Sequence, residues 1–157
     1  MKRFFLLITF FLAIAAQSQD KVSVNKQEIT IPIGKKITLK AEIKENKIIN
    51  FKTVDEQNIT EKIDLLEALK SFEKDDIKDN SIEFVFSEAQ MMNSSLIALK
   101  TIQKTGKRMT FKAKIRLKGT SSYQPTSIIP IVSNTTSIEE WRDDIDSILL
   151  YDFQLEK

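Results

Sequence analysis

The ten residues Met109-Thr110-Phe111-Lys112-Ala113-Lys114-Ile115-Arg116-Leu117-Lys118 alternate apolar and polar side chains without a break. In an extended chain successive side chains point to opposite sides, so this stretch predicts a half-buried strand with Met109, Phe111, Ala113, Ile115 and Leu117 toward a core. A turn over 103–108, with Gly106 inside it, comes before this strand, and the apolar run 96–102 before the turn reads as its hairpin partner. Met92, Leu96, Leu99 and Ile102 also fit a helical stripe. The neighbouring turn and strand favour the extended reading of 88–104.

The same period recurs toward the N-terminus. Ile29, Ile31 and Ile33 interleave with Thr30 and Pro32, Gly34 opens a turn, and Ile37, Leu39, Ala41 and Ile43 interleave with Thr38, Lys40 and Glu42. Pro32 has no N–H to give to a ladder, which assigns the first of these strands to a sheet edge. A polar turn at 45–47 leads to a third strand over 48–54 with Ile49 and Phe51 inward. The period then changes. Asn58 and Glu61 are spaced as an N-cap and its reciprocal partner, and Ile63, Leu66, Leu69 and Phe72 mark one side of a helix over 61–73. Ile82, Phe84 and Phe86 restore the strand period.

Beyond Gly119 the sequence predicts a loop over 120–126 and an apolar run over 127–132 broken by Pro130. A helical turn over 138–142 capped by Ser137 follows, then a closing strand with Leu149, Tyr151, Phe153 and Leu155 on one face. Many strands with one helix imply a mainly β chain, an antiparallel β-sandwich of Ig-like or jelly-roll-like type with one short helix near 61–73. The alternative is an α+β fold, with 61–73 and 88–104 both helical on one face of a sheet.

Residues 1–18 read as a signal peptide. Lys2 and Arg3 precede a run, 4–14, that is apolar except for Thr9, and small residues follow it up to Ser18. The run is too short for a bilayer span, which takes about 20 residues, and cleavage is expected before Gln19 or before Ala16. Its removal takes away Lys2, Arg3 and no acid, so the expected single domain, 19–157, is formally neutral. That gives no reason to expect nucleic acid as a partner. The expected location is secreted or periplasmic, and without Cys there is no lipidated N-terminus and no disulfide.

With no His and no Cys, the Ser-His and Cys-His nucleophile pairs and the thiolate and imidazole metal sites are excluded. Ser71-Phe72-Glu73-Lys74 spells S-x-x-K and Lys104-Thr105-Gly106 spells K-T-G, which resemble two of the three signatures of serine β-lactamases and penicillin-binding proteins. Ser71 falls at the end of the predicted helix rather than its start, no S-D-N lies between the motifs, and about 30 residues cannot hold that family's helical subdomain. An enzyme is therefore not expected. The acidic clusters Asp75, Asp76, Asp79 and Asp143, Asp144, Asp146 lack the spacing and the Gly of a calcium loop and read as solvated charges. No metal and no cofactor is expected.

The strongest surface signal is the polar side of the opening stretch. Lys112, Lys114, Arg116 and Lys118 would stand in a row about 7 Å apart, with Tyr123 in the next loop, and these five residues form the predicted binding site for a protein or a cell-surface glycan. Lys40 and Lys44 extend the row if their strand is adjacent. The competing reading is that acids on neighbouring strands neutralise it. Trp141 reads as a core plug in preference to an aromatic platform with Tyr123 and Tyr151. Asn58, Asn93 and Asn134 open N-x-S/T sequons. A second class of function is a structural accessory domain that pairs with another chain through an exposed strand edge.

Residues 96–100 and 109–115, Thr126-Ser127-Ile128-Ile129-Pro130, Glu140-Trp141, Ile145, Ile148-Leu149 and Phe153 together resemble a pattern in small exported proteins of Bacteroidetes-type bacteria. The resemblance covers residues 94–155. That family has no named activity, so it implies a bacterial exported β-domain and transfers no catalytic residue.

Overall fold

The structure, a computed structural model, describes residues 20–70 and 77–156. The predicted signal peptide and the S-x-x-K motif lie outside them. Eleven strands and one short helix appear among the described residues: β1 Ser23–Asn25, β2 Glu28–Pro32, β3 Lys35–Lys44, β4 Lys47–Asn58, β5 Ile63–Asp64, α1 Leu65–Lys70, β6 Ser81–Met91, β7 Ser94–Gln103, β8 Arg108–Leu117, β9 Tyr123–Thr126, β10 Thr136–Trp141 and β11 Ile145–Glu156. The strands hydrogen-bond in the order β1-β2-β11-β4-β3-β6-β7-β10, with β8 on the other side of β11 and β9 beyond β8. All pairings are antiparallel except that of β5 with β6.

The last strand joins the two halves of this path. Residues 147–150 of β11 pair with β2 on one side and β8 on the other; the register then shifts between Tyr151 and Gln154, and Gln154 meets Lys47 of β4. Asp152 sits in that shift with φ 57°. An extra residue bends a strand, and here it turns β11 from one layer into the other. β2, with β1 beyond it, flanks the first half, β4, with β3, β6, β7 and β10 beyond it, meets the second, and β8, with β9 beyond it, follows β11 on both sides of the shift. The inner faces meet in one core: Phe84 packs on Phe111 at 6.0 Å, Phe51 on Phe153 at 4.9 Å and Phe111 on Phe153 at 5.1 Å between ring centroids. Ile29, Ile31, Ile37, Leu39, Ile148 and Leu150 fill the space around these rings. The result is the mainly β, sandwich-like fold expected from the alternation. A second, smaller cluster of Leu65, Ala89, Leu96 and Ala98 lies apart from this core, with α1 contributing Leu65.

The opening stretch behaves as its period requires, with Met109, Phe111, Ala113 and Ile115 buried. Residues 88–104 are not helical, as expected, but they are divided between the end of β6, a turn at Met92 and Asn93, and β7, and β7 and β8 do not form a hairpin. β7 pairs with β6 and β10, while β8 pairs with β11 and β9. The turn between them leads from one ladder to the other, and the buried Gln103 binds across it. Its Nε2 donates to the carbonyls of Lys107 at 2.9 Å and Val132 at 2.6 Å, and its Oε1 accepts from Thr105 N and Oγ1.

Other expectations are corrected. β2 is not an edge strand, since β1 flanks it; Pro32 is tolerated because β1 stops opposite Thr30. Ile49 is exposed while Ile48 is fully buried, because β4 carries an extra residue between its pairings with Glu42 and Ile43. The helix does not begin at 61, and residues 71–73 of its expected span lie outside the described residues. It starts at Leu65 and is capped by Asp64, whose Oδ1 accepts Leu66 N at 3.0 Å and Glu67 N at 3.2 Å. Leu66 is exposed, while Leu65 and Ala68 are buried. The expected helical turn at 138–142 is instead strand β10, held along β7, and the expected loop 120–126 contains β9. In β11 the bulge switches the buried set, so Ile148 and Leu150 are inward before it and Phe153 and Leu155 after it, leaving Leu149 and Tyr151 on the outer face.

Candidate binding face

The outer face of β9, β8 and β11 is built by register. Lys112 lies opposite Tyr151, Lys114 opposite Leu149, and Arg116 opposite Ser147. On the other side Lys114 faces Pro125 and Arg116 faces Tyr123. Directly opposed residues in antiparallel strands share a face, so Lys112, Lys114, Arg116 and Tyr123 lie on one face, with Tyr123 on strand β9 and Lys118 one residue past the end of β8.

The row is not a field of free cations. Lys112 Nζ lies 2.7 Å from Asp152, Arg116 Nε 2.7 Å from Asp146, and Lys118 Nζ 3.6 Å from Asp144; at the far end Arg108 is 3.5 Å from Glu156. Hydrogen bonding to Lys112, with a further bond from Gln154, holds the Asp152 carboxyl below its usual pKa, and the same partner raises that of Lys112. Asp146 raises that of Arg116. Lys114 differs, lying 5.4 Å from the centre of the Tyr151 ring. Arg116 also covers Tyr123, at 5.6 Å, and the Tyr123 hydroxyl is 2.8 Å from Ser147 Oγ. Both tyrosines of the chain are therefore on this face, each under a cation. The carboxylates of β11 and its approach were missed as site residues because sequence does not reveal which strand lies beside β8.

Lys40 and Lys44 do not extend the row, since β3 pairs with β4 and β6 in the other layer. Trp141 is a plug: its ring packs against Phe86 at 6.4 Å and its Nε1 donates to Thr126 Oγ1 at 2.9 Å. The K-T-G residues form the turn between β7 and β8. Thr105 is buried on Gln103, and Gly106, with φ 74°, donates its N–H to Asn134 Oδ1 at 2.8 Å. Asn134 of that sequon is itself buried, whereas Asn93 is exposed at the β6–β7 turn. Hydrogen bonding from Ser81, first from its hydroxyl and then from its N–H at 2.9 Å, lowers the pKa of Asp79; Asp75 and Asp76 lie outside the described residues. Among the described residues no group of three acidic or other ligating side chains is placed to hold a metal, and no helix is long and apolar enough to cross a membrane.

Comparison of the chain with protein-family models, with curated proteins and with solved structures finds no match to any of them.

Proposed function

We propose that this chain is an exported, non-enzymatic β-sandwich domain that acts by binding a protein or glycan partner at the cell envelope or outside it, through the outer face of β9, β8 and β11. Export rests on the signal-peptide layout of residues 1–18 and on the resemblance to small exported bacterial proteins. One observation carries the binding site: Tyr123 and Tyr151 share a partly exposed face with Lys112, Lys114 and Arg116.

Aromatic side chains offer an apolar face with a polar handle, suited to one-sided contact with a ring that carries hydroxyls. The surrounding ion pairs supply donors and acceptors together. Such a mixed surface suits a neutral or weakly charged glycan better than a polyanion, because Lys112, Arg116 and Lys118 already face carboxylates.

Binding of the purified chain to a panel of immobilised neutral and acidic polysaccharides tests this. The triple variant Lys112→Gln, Lys114→Gln, Arg116→Gln, and separately Tyr123→Ala, are each expected to weaken retention by about tenfold, the scale of losing one or two such contacts. Retention on the neutral members should change little between low and moderate salt. Equal retention of wild type and triple variant would remove the proposed face. Retention of an envelope protein in place of every polysaccharide would assign the face to a protein partner.

A further inference from the structure

Among the described residues the outer edge of β4 has no ladder partner beyond Lys47, and just ahead of β1 the Val22 N–H donates to the Glu56 carboxylate at 3.3 Å. β4 pairs with β3 along one side, and on the other its described partner is β11, at Lys47 alone. From Lys52 to Asn58 every residue is exposed, and Val54 is 62% exposed. Thr38 of β3 faces Asp55 and Leu39 faces Thr53, so Val54 is an extra residue in the ladder. Lys52 lies opposite Lys40 and Asp55 opposite Thr38. Lys40 and Thr38 alternate with the buried Ile37, Leu39 and Ala41. Lys52 and Asp55 therefore stand on the same side of the sheet, facing away from the core. Among the described residues neither forms an ion pair; Asp55 accepts a hydrogen bond from Gln57 Nε2 at 2.6 Å.

An open edge presents unpaired main-chain N–H and C=O groups, a template for one more strand. The charges select which strand. If β4 lies antiparallel to β4 of a second copy with Thr53 opposite Val54, the twofold axis repeats that contact. It also places Lys52 opposite Asp55 of the second copy twice, both pairs on the outer side. Phe51 then faces Glu56. An unpaired cation and an unpaired carboxylate three residues apart on one edge, with an exposed Val between them, are complementary to their own rotated image.

We propose that two copies of this chain associate through β4, extending the β3–β4 layer continuously across the dimer with Lys52–Asp55 pairs on either side of the axis. The extra residue at Val54 and the charges around it discourage indiscriminate edge pairing, which leaves the self-complementary register favoured. The proposal is independent of the face on β8.

Sedimentation of the purified chain over a wide concentration range tests it. Wild type is expected to show a reversible monomer–dimer equilibrium. Asp55→Lys alone and Lys52→Asp alone each set like charges opposite one another and should weaken the dimer by about tenfold or more, since two cross-strand pairs change sign. An equimolar mixture of the two single variants should dimerise again, because each then presents the charge the other lacks, and the double variant carrying both exchanges should behave like wild type. A wild-type chain that stays monomeric throughout, a dimer that survives both single exchanges, or a mixture that fails to recover would each overturn the proposal.

Discussion

Gln103 shows how much one buried amide can decide. Its side chain is fully buried and satisfies two carbonyls together with the N–H and hydroxyl of Thr105, at the point where the chain leaves one ladder for the other. Truncation removes the amide from the buried Thr105 and from two part-buried carbonyls, and each buried group left unsatisfied costs about 1–3 kcal/mol. Gln103→Ala is therefore expected to lower unfolding stability by at least about 2 kcal/mol, read from urea denaturation. A loss below half of that would mean water replaces the amide. Glu139 makes the opposite case. Burial raises its pKa, while the Ile129 N–H that its Oε1 accepts at 2.7 Å works against the rise. A carboxyl raised in the folded state penalises folding above that pKa, and the penalty is relieved as pH falls through it toward the unfolded value of about 4.3. Glu139→Gln should thus be more stable than wild type at neutral pH, with the gap closing on acidification. Asp152 and Asp79 have depressed values, so their contribution is present above the unfolded Asp value of about 3.9 and lost below it as they protonate. Urea midpoints of both proteins across pH check both signs. None of this was legible in the sequence, where Gln103 and Glu139 read as ordinary polar residues of a turn and a helical segment.

At the scale of elements, periodicity was most reliable where strands are regular and misleading where they carry an extra residue. β8 keeps strict alternation, and its faces are those read from its letters. β4 and β11 contain register shifts that move Ile49 outward and divide the buried set of β11 between Leu150 and Phe153. A one-residue shift exchanges the faces of everything beyond it, and no local signal marks it. The β3–β4 connection was legible as a polar turn and has a definite form: Lys44 pairs with Lys47, and Glu45 and Asn46 between them have φ 49° and 65°. Two positive φ values in a two-residue hairpin favour Asn or Gly, and Glu45 is neither. Glu45→Asn is expected to stabilise the chain by about 0.5 kcal/mol, measurable as a raised urea midpoint with unchanged slope. A neutral or destabilising result would mean that Glu45 makes a compensating contact. Gly34, by contrast, already suits its place: its φ is 77°, and an added Cβ would lie 3.2 Å from the Ile59 carbonyl oxygen.

For the whole molecule, the neutral charge balance expected of residues 19–157 has a visible counterpart in the ion pairs that line β8, and the weak salt response expected for the β8 face follows from it. The candidate face was legible in part. Alternation placed Lys112, Lys114 and Arg116 together, because the two-residue period is a property of the extended backbone itself. Their partners were not, because Asp146 and Asp152 lie 30 and 40 positions further along the chain and become neighbours only when β11 inserts between β2 and β8. The sequence by itself determined the mainly β class, the run of extended segments, the core identity of Phe84, Phe111 and Ile115, and the absence of His and Cys chemistry. All of these depend on side-chain type and local spacing. Strand order, the change of ladder at Gln103, the bulges that flip faces, the neutralisation of the Lys row and the outer edge of β4 were decided by the tertiary structure alone. Each depends on which distant segments share a ladder, and main-chain hydrogen bonds pair any two strands alike until side chains packing across the core select among them.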